Sequence, residues 1–65
     1  MVVVYLFDGR ELDFGSEPAS VETILLHLDI NPVEVLVSRN GELVPESETA
    51  RGNDVVRVYR ISHGG

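Results

Sequence analysis

The chain has 65 residues, with eleven acidic and five basic side chains and a net charge of −6. A domain this small buries only about 60% of the surface its unfolded chain exposes, so a deep, water-excluding active site is disfavoured, and the acidic balance repels phosphate backbones and anionic membranes. Without cysteine there are no disulfides, no thiolate metal sites and no thiol nucleophile. The expectation is a single small domain that is not an enzyme and binds neither nucleic acid nor membrane. It is expected to be a monomer that suits a basic protein partner. All five basic residues are arginine, so the α-amino group of Met1 is the only primary amine.

The chain opens with MVVVYLFDGR, which carries no basic leader. Its apolar run from Val2 to Phe7 is too short for a signal or membrane span, which predicts a cytoplasmic protein. VVVYLF reads as a strand buried on most sides, because β-branched and aromatic residues suit a pleated, packed surface. Asp8-Gly9 predicts a two-residue type I′ hairpin turn. RELDF alternates as a second strand, and GSEPA breaks the pattern as a loop.

Ser20 stands where a helix N-cap is needed. In SVETILLHL, Val21, Ile24, Leu25 and Leu28 share one helical face, whereas Thr23, Leu26 and His27 lie off it. Asn31-Pro32 predicts the stop, since a residue before proline is disfavoured in the α region. VEVLVS reads as a strand, Asn40-Gly41 as a hairpin turn, and ELV as a short strand. PESETARGND reads as a polar loop with Glu46 and Glu48 solvated, and VVRVYRI is the last strand.

The order predicts an α+β domain: a mixed sheet of four to five strands with one helix packed on one face. The first and last strands, being the most apolar, belong side by side at its centre. A right-handed connection through the helix permits that arrangement. This is the β-grasp architecture, expected over residues 1–61, with residues 62–65 as a flexible tail.

SVETILLHLDI, VEVLVSRNGELVP and GNDVVRVYRISHGG together resemble the small ubiquitin-like β-grasp proteins. These are the sulfur carriers of thiamine and molybdopterin synthesis (ThiS and MoaD types) and the archaeal small modifiers. The resemblance covers essentially the whole chain. The archaeal modifier type is the most similar, through DINPVEV, the Val-Pro-Glu segment and the arginines of the last strand. Two departures stand out: Asn53 interrupts the Gly-Asp pair common before the last strand, and the proline often found before the tail of molybdopterin carriers is missing.

The resemblance implies that the Gly65 carboxylate is the working group, adenylated by a ubiquitin-activating-type enzyme. ATP would be that enzyme's substrate, and this chain would hold no cofactor. A sulfur donor could then make a thiocarboxylate for an acceptor enzyme, or a lysine of a target protein could form an isopeptide bond. Gly64 and Gly65 lack a Cβ, so their backbone can pass a narrow channel. From Ser62 to Gly65 the tail reaches roughly 13–14 Å when extended. Having no lysine, the chain cannot build lysine-linked polymers on itself.

A docking surface is expected in the last strand. With Val56 and Val58 facing the helix, Arg57, Tyr59 and Ile61 fall on the opposite face. An aromatic and an aliphatic residue beside an arginine make a reasonable partner patch. His63 is expected to line the partner's channel, and the two histidines lack a third ligand for a metal. The rival expectation is a β-grasp interaction module that binds through this face and is never activated.

Overall fold

The computed structural model describes residues 1–61. In chain order the elements are β1 (Val3–Tyr5), β2 (Glu11–Asp13), β3 (Ala19–Ser20), α1 (Val21–His27), a 3-10 turn (Pro32–Glu34), β4 (Val35–Arg39), β5 (Glu42–Val44), β6 (Thr49–Ala50) and β7 (Val55–Arg60). Five strands form a mixed sheet in the order β2-β1-β7-β4-β5, and β3 pairs with β6 in a separate ribbon. This is the β-grasp fold, and β1 and β7 are its adjacent inner strands, running parallel with Val4 opposite Val56. No helix among the described residues is long and apolar enough to cross a membrane.

One face of the sheet makes the core. Val2 and Val4 from the first strand region and Val56 and Val58 from β7 meet Val21, Ile24 and Leu25 of α1, all buried. Each such side chain contributes about 1.5–3 kcal/mol on burial. Leu28 packs at the margin of this cluster, and Leu26 is exposed, in line with the helical spacing.

The helix begins as the sequence implies. Ser20 is the N-cap, and its Oγ accepts a hydrogen bond from the Thr23 N–H at 3.1 Å. The preceding orphan donors are met from outside the helix: the Val21 and Glu22 N–H groups donate to the carbonyls of Glu48 and Glu46. The end differs from expectation. α1 stops at His27, before Asn31-Pro32, because Asp29 turns into the left-handed region at φ 60°. The Asp29 N–H then donates to the Leu26 carbonyl and the Ile30 N–H to that of Leu25, a Schellman closure with aspartate in glycine's usual place. Asn31 instead caps the 3-10 turn, its Oδ1 accepting from the Val33 N–H.

Three further expectations are corrected. The first hairpin does not turn on two residues: the Leu6 N–H donates to the Arg10 carbonyl, so Phe7, Asp8 and Gly9 form the loop. Only Gly9 has positive φ there, at 91°, as a three-residue loop closing on a left-handed glycine requires. The two stretches read as loops each supply a short strand, β3 and β6, whose pairing sets Ala19 opposite Ala50. Val33 and Glu34, read as strand, belong to the 3-10 turn, so β4 starts at Val35.

The second hairpin matches expectation. Asn40 and Gly41 both have positive φ, 53° and 89°, and connect Arg39 to Glu42 directly. Asn40 also works as a surrogate for the ladder: its Oδ1 accepts from the Val55 N–H, and its Nδ2 donates to Asp54. Asp54 in turn accepts from the Arg51 N–H at 3.0 Å. These two bonds hold the Asp54 carboxyl below the ordinary carboxylate value, the Arg51 backbone N–H first and the Asn40 amide second. Arg39 fastens the loop before β6, donating to the Thr49 carbonyl at 2.7 Å and meeting Glu48 at 3.0 Å, so Glu48 is paired rather than merely solvated.

Asp29→Gly should raise stability by about 0.5–1 kcal/mol, since a left-handed residue with a side chain is strained. Urea denaturation with an unchanged slope would register the gain. Asp54→Asn should cost roughly 1 kcal/mol at neutral pH, because the amide offers one acceptor where the carboxylate offers two. The folded Asp54 carboxyl is depressed, so its contribution is complete above the unfolded value near 3.8 and is lost as pH falls through the folded one. The gap between wild type and Asp54→Asn in urea melts should therefore close below about pH 4.

Candidate functional site

The face of the sheet away from α1 is built by the alternate residues of four strands. The β7 register places Arg57 opposite Tyr5 of β1 on one side and Ser38 of β4 on the other. Tyr59 stands opposite Leu36, and Ser38 opposite Leu43 of β5. Tyr59, Leu36 and Leu43 are 46%, 49% and 65% exposed, a concentration of apolar surface in a chain with little to spare. Ser38 lies among them almost completely buried, and its Oγ has no hydrogen-bond partner among the described residues.

The arginines of β7 are held by rings rather than by acids. The Arg57 guanidinium lies over the Tyr5 ring, 4.6 Å from its centroid. That of Arg60 lies 5.6 Å from the centroid of Phe7. Among the described residues neither forms an ion pair, whereas Arg10 and Arg39 do, with Asp8 and Glu48. Stacking of this kind leaves guanidinium N–H donors free at the ring edge.

Arg57 and Tyr59 thus occupy the face the alternation assigned them. Ile61 lies just past β7, half-buried, with its N–H donating to the Glu34 carbonyl at 3.1 Å. His63, Gly64 and Gly65 fall outside the described residues. The sequence reading passed over Leu36, Leu43, Tyr5, Phe7 and Arg60. Leu36 carried a signal, since it alternates with the buried Val35 and Val37 and so faces the other way. No cluster of three or more potential metal ligands occurs among the described residues.

No family model matches the chain, and neither does any curated protein. Solved structures do. The crystal structure of the thiamine biosynthesis protein ThiS from Geobacter metallireducens is similar over 97% of this chain and 99% of its own, with a TM-score of 0.67 and 22% identity. The solution structure of a thiamine biosynthesis protein from the same organism gives 0.62 and 24%, over 97% of this chain and 87% of its own. At this level of identity the likeness establishes the fold: over its described residues the chain folds as the ThiS protein does.

Proposed function

We propose that the chain is a ubiquitin-like carrier whose Gly65 carboxylate is activated by a separate adenylating enzyme. The observation that supports this most directly is the near-complete likeness in fold to a thiamine biosynthesis protein, in a chain whose central strand β7 is followed by Gly64 and Gly65. A carboxylate resists attack because of its charge and resonance. Its oxygen would attack the α-phosphorus of ATP and release pyrophosphate, giving an acyl-adenylate with a good leaving group. A sulfide-equivalent donor would then displace AMP and leave a thiocarboxylate at Gly65. In the alternative outcome, a lysine amine of a target protein displaces AMP, loses a proton and forms an isopeptide bond.

The chain itself would supply the substrate group and the recognition surface and leave catalysis to its partners. The adenylating enzyme would read the outer face through Arg57 and Tyr59, and Ile61 and His63 would line the approach to the glycines. Sulfur would come from outside, since there is no thiol here, and conjugation would give single attachments or linkage through Met1.

A second reading is favoured by the exposed Leu36, Leu43 and Tyr59. On that reading the chain is a passive module that binds through its sheet face. The two separate on removal of Gly64 and Gly65. A carrier lacking them should give no ATP–pyrophosphate exchange with its adenylating enzyme, and a passive module should keep its binding. Intact-mass measurement after incubation with ATP, a sulfide donor and the adenylating enzyme should show one oxygen replaced by sulfur. An unchanged mass, with the enzyme active on another carrier, would remove the carrier reading. The same spectrum reads whether Gly65 bears the free carboxylate.

A further inference from the structure

β1 stops pairing with β7 at Tyr5 and Arg57, but β7 runs on through Val58, Tyr59 and Arg60. Val55 and Ile61 direct their backbone groups to the β4 side, through the Asn40 N–H to Val55 carbonyl bond and the Ile61 N–H to Glu34 carbonyl bond. The strand's period of two therefore turns the backbone groups of Val58 and Arg60 to the β1 side. There the chain has already left the sheet at Phe7. Among the described residues, the Val58 carbonyl and the Arg60 N–H face a groove of about 360 Å³ instead of a strand.

The walls of that groove are aromatic and basic: Tyr5, Phe7, Tyr59, Arg57 and Arg60, with no carboxylate among the described lining residues. This stands out in a chain of net charge −6. The groove around Arg39 and Arg51 contains Glu48 and Asp54 and neutralises itself. Here the two guanidiniums lie over Tyr5 and Phe7 and form no ion pair among the described residues. An unpaired strand edge calls for another backbone, and free guanidiniums call for carboxylates.

We propose that this notch docks an extended acidic segment of a protein partner, which adds to β7 as a strand at Val58–Arg60 with its carboxylates against Arg57 and Arg60. The register limits which acids serve. A residue opposite Tyr59 points to the outer face and reaches Arg57 on the diagonal, whereas its neighbour opposite Arg60 points to the other face. Two consecutive acidic residues therefore satisfy both arginines, and flanking apolar residues cover Phe7 and Tyr59. The docking is separate from chemistry at Gly65, so a chain lacking residues 64 and 65 should bind the segment equally well.

A capped Ser-Val-Glu-Glu-Val-Ser peptide at millimolar concentration is the probe, titrated into the full isotope-labelled chain and followed by its amide resonances. Shifts should concentrate at Phe7, Val58, Tyr59 and Arg60, exchange of the Arg60 amide should slow, and a Lys-Lys version of the peptide should leave the spectrum unchanged. Arg57→Gln with Arg60→Gln should weaken binding about tenfold, the order expected for lost charge-assisted hydrogen bonds. If the pair disturbs the fold, Arg60→Gln alone, at an exposed position, should still weaken it about threefold. Equal response to both peptides, shifts confined to Leu36 and Leu43, undiminished binding by the variants, or no response at all would each overturn the proposal.

Discussion

The parallel pairing of β1 with β7 is the contact on which the rest of this structure depends. Val3 to Tyr5 lie against Val55 to Arg57, so segments some fifty residues apart in sequence share the middle of the sheet. The buried valines of both strands form the floor on which α1 rests. The helix has only the Val21, Ile24 and Leu25 stripe to offer and is too short to persist alone. It is helical because that floor exists. The same pairing leaves β2 and β5 as the two edges and turns the alternate residues of β7 outward, where Arg57 and Tyr59 meet Tyr5 and Leu36.

A domain with so thin a core relies on polar side chains to finish its backbone. Ser20, Asn31, Asn40 and Asp54 each accept a main-chain N–H at a place where the chain changes direction. Asp8 and Asp13 do the same for Arg10 and Gly15. Part of the acidic surplus is thus structural, holding turns closed. The arginines divide in a corresponding way. Arg10 and Arg39 are drawn to acids within the fold, and Arg57 and Arg60 rest on rings and meet no acid among the described residues.

What could be read from the sequence was whatever local chemistry decides. Asn40-Gly41 needs two left-handed residues in a row, and the dipeptide announces them. Ser20 announces the helix, and the valines of β7 announce which neighbours face away, so the outward side of Arg57 and Tyr59 is legible in the alternation. The misreadings occur where distant partners decide. Asp8-Gly9 has the same appearance as Asn40-Gly41, but the pairing of Leu6 with Arg10 draws Phe7 into the turn, and register is a property of two strands. β3 and β6 have two residues each, too few to show any period. The notch beside β7 was illegible for the same reason: it arises from β1 ending early, and an ending shows only when the partner strand is seen to continue.

Parallel pairing of the inner strands also has a mechanical consequence. The direction in which β1 enters the sheet and the direction in which β7 leaves it point to opposite ends of the molecule. A load applied between Met1 and Ile61 runs along the strands and strains the hydrogen bonds of the β1–β7 ladder in shear, all together. The same load applied across an edge strand such as β5 would open its bonds one after another. The domain is therefore built to be strong in one direction and weak in another, and a machine that unfolded it by pulling from Ile61 against a grip on β1 would meet the stronger one.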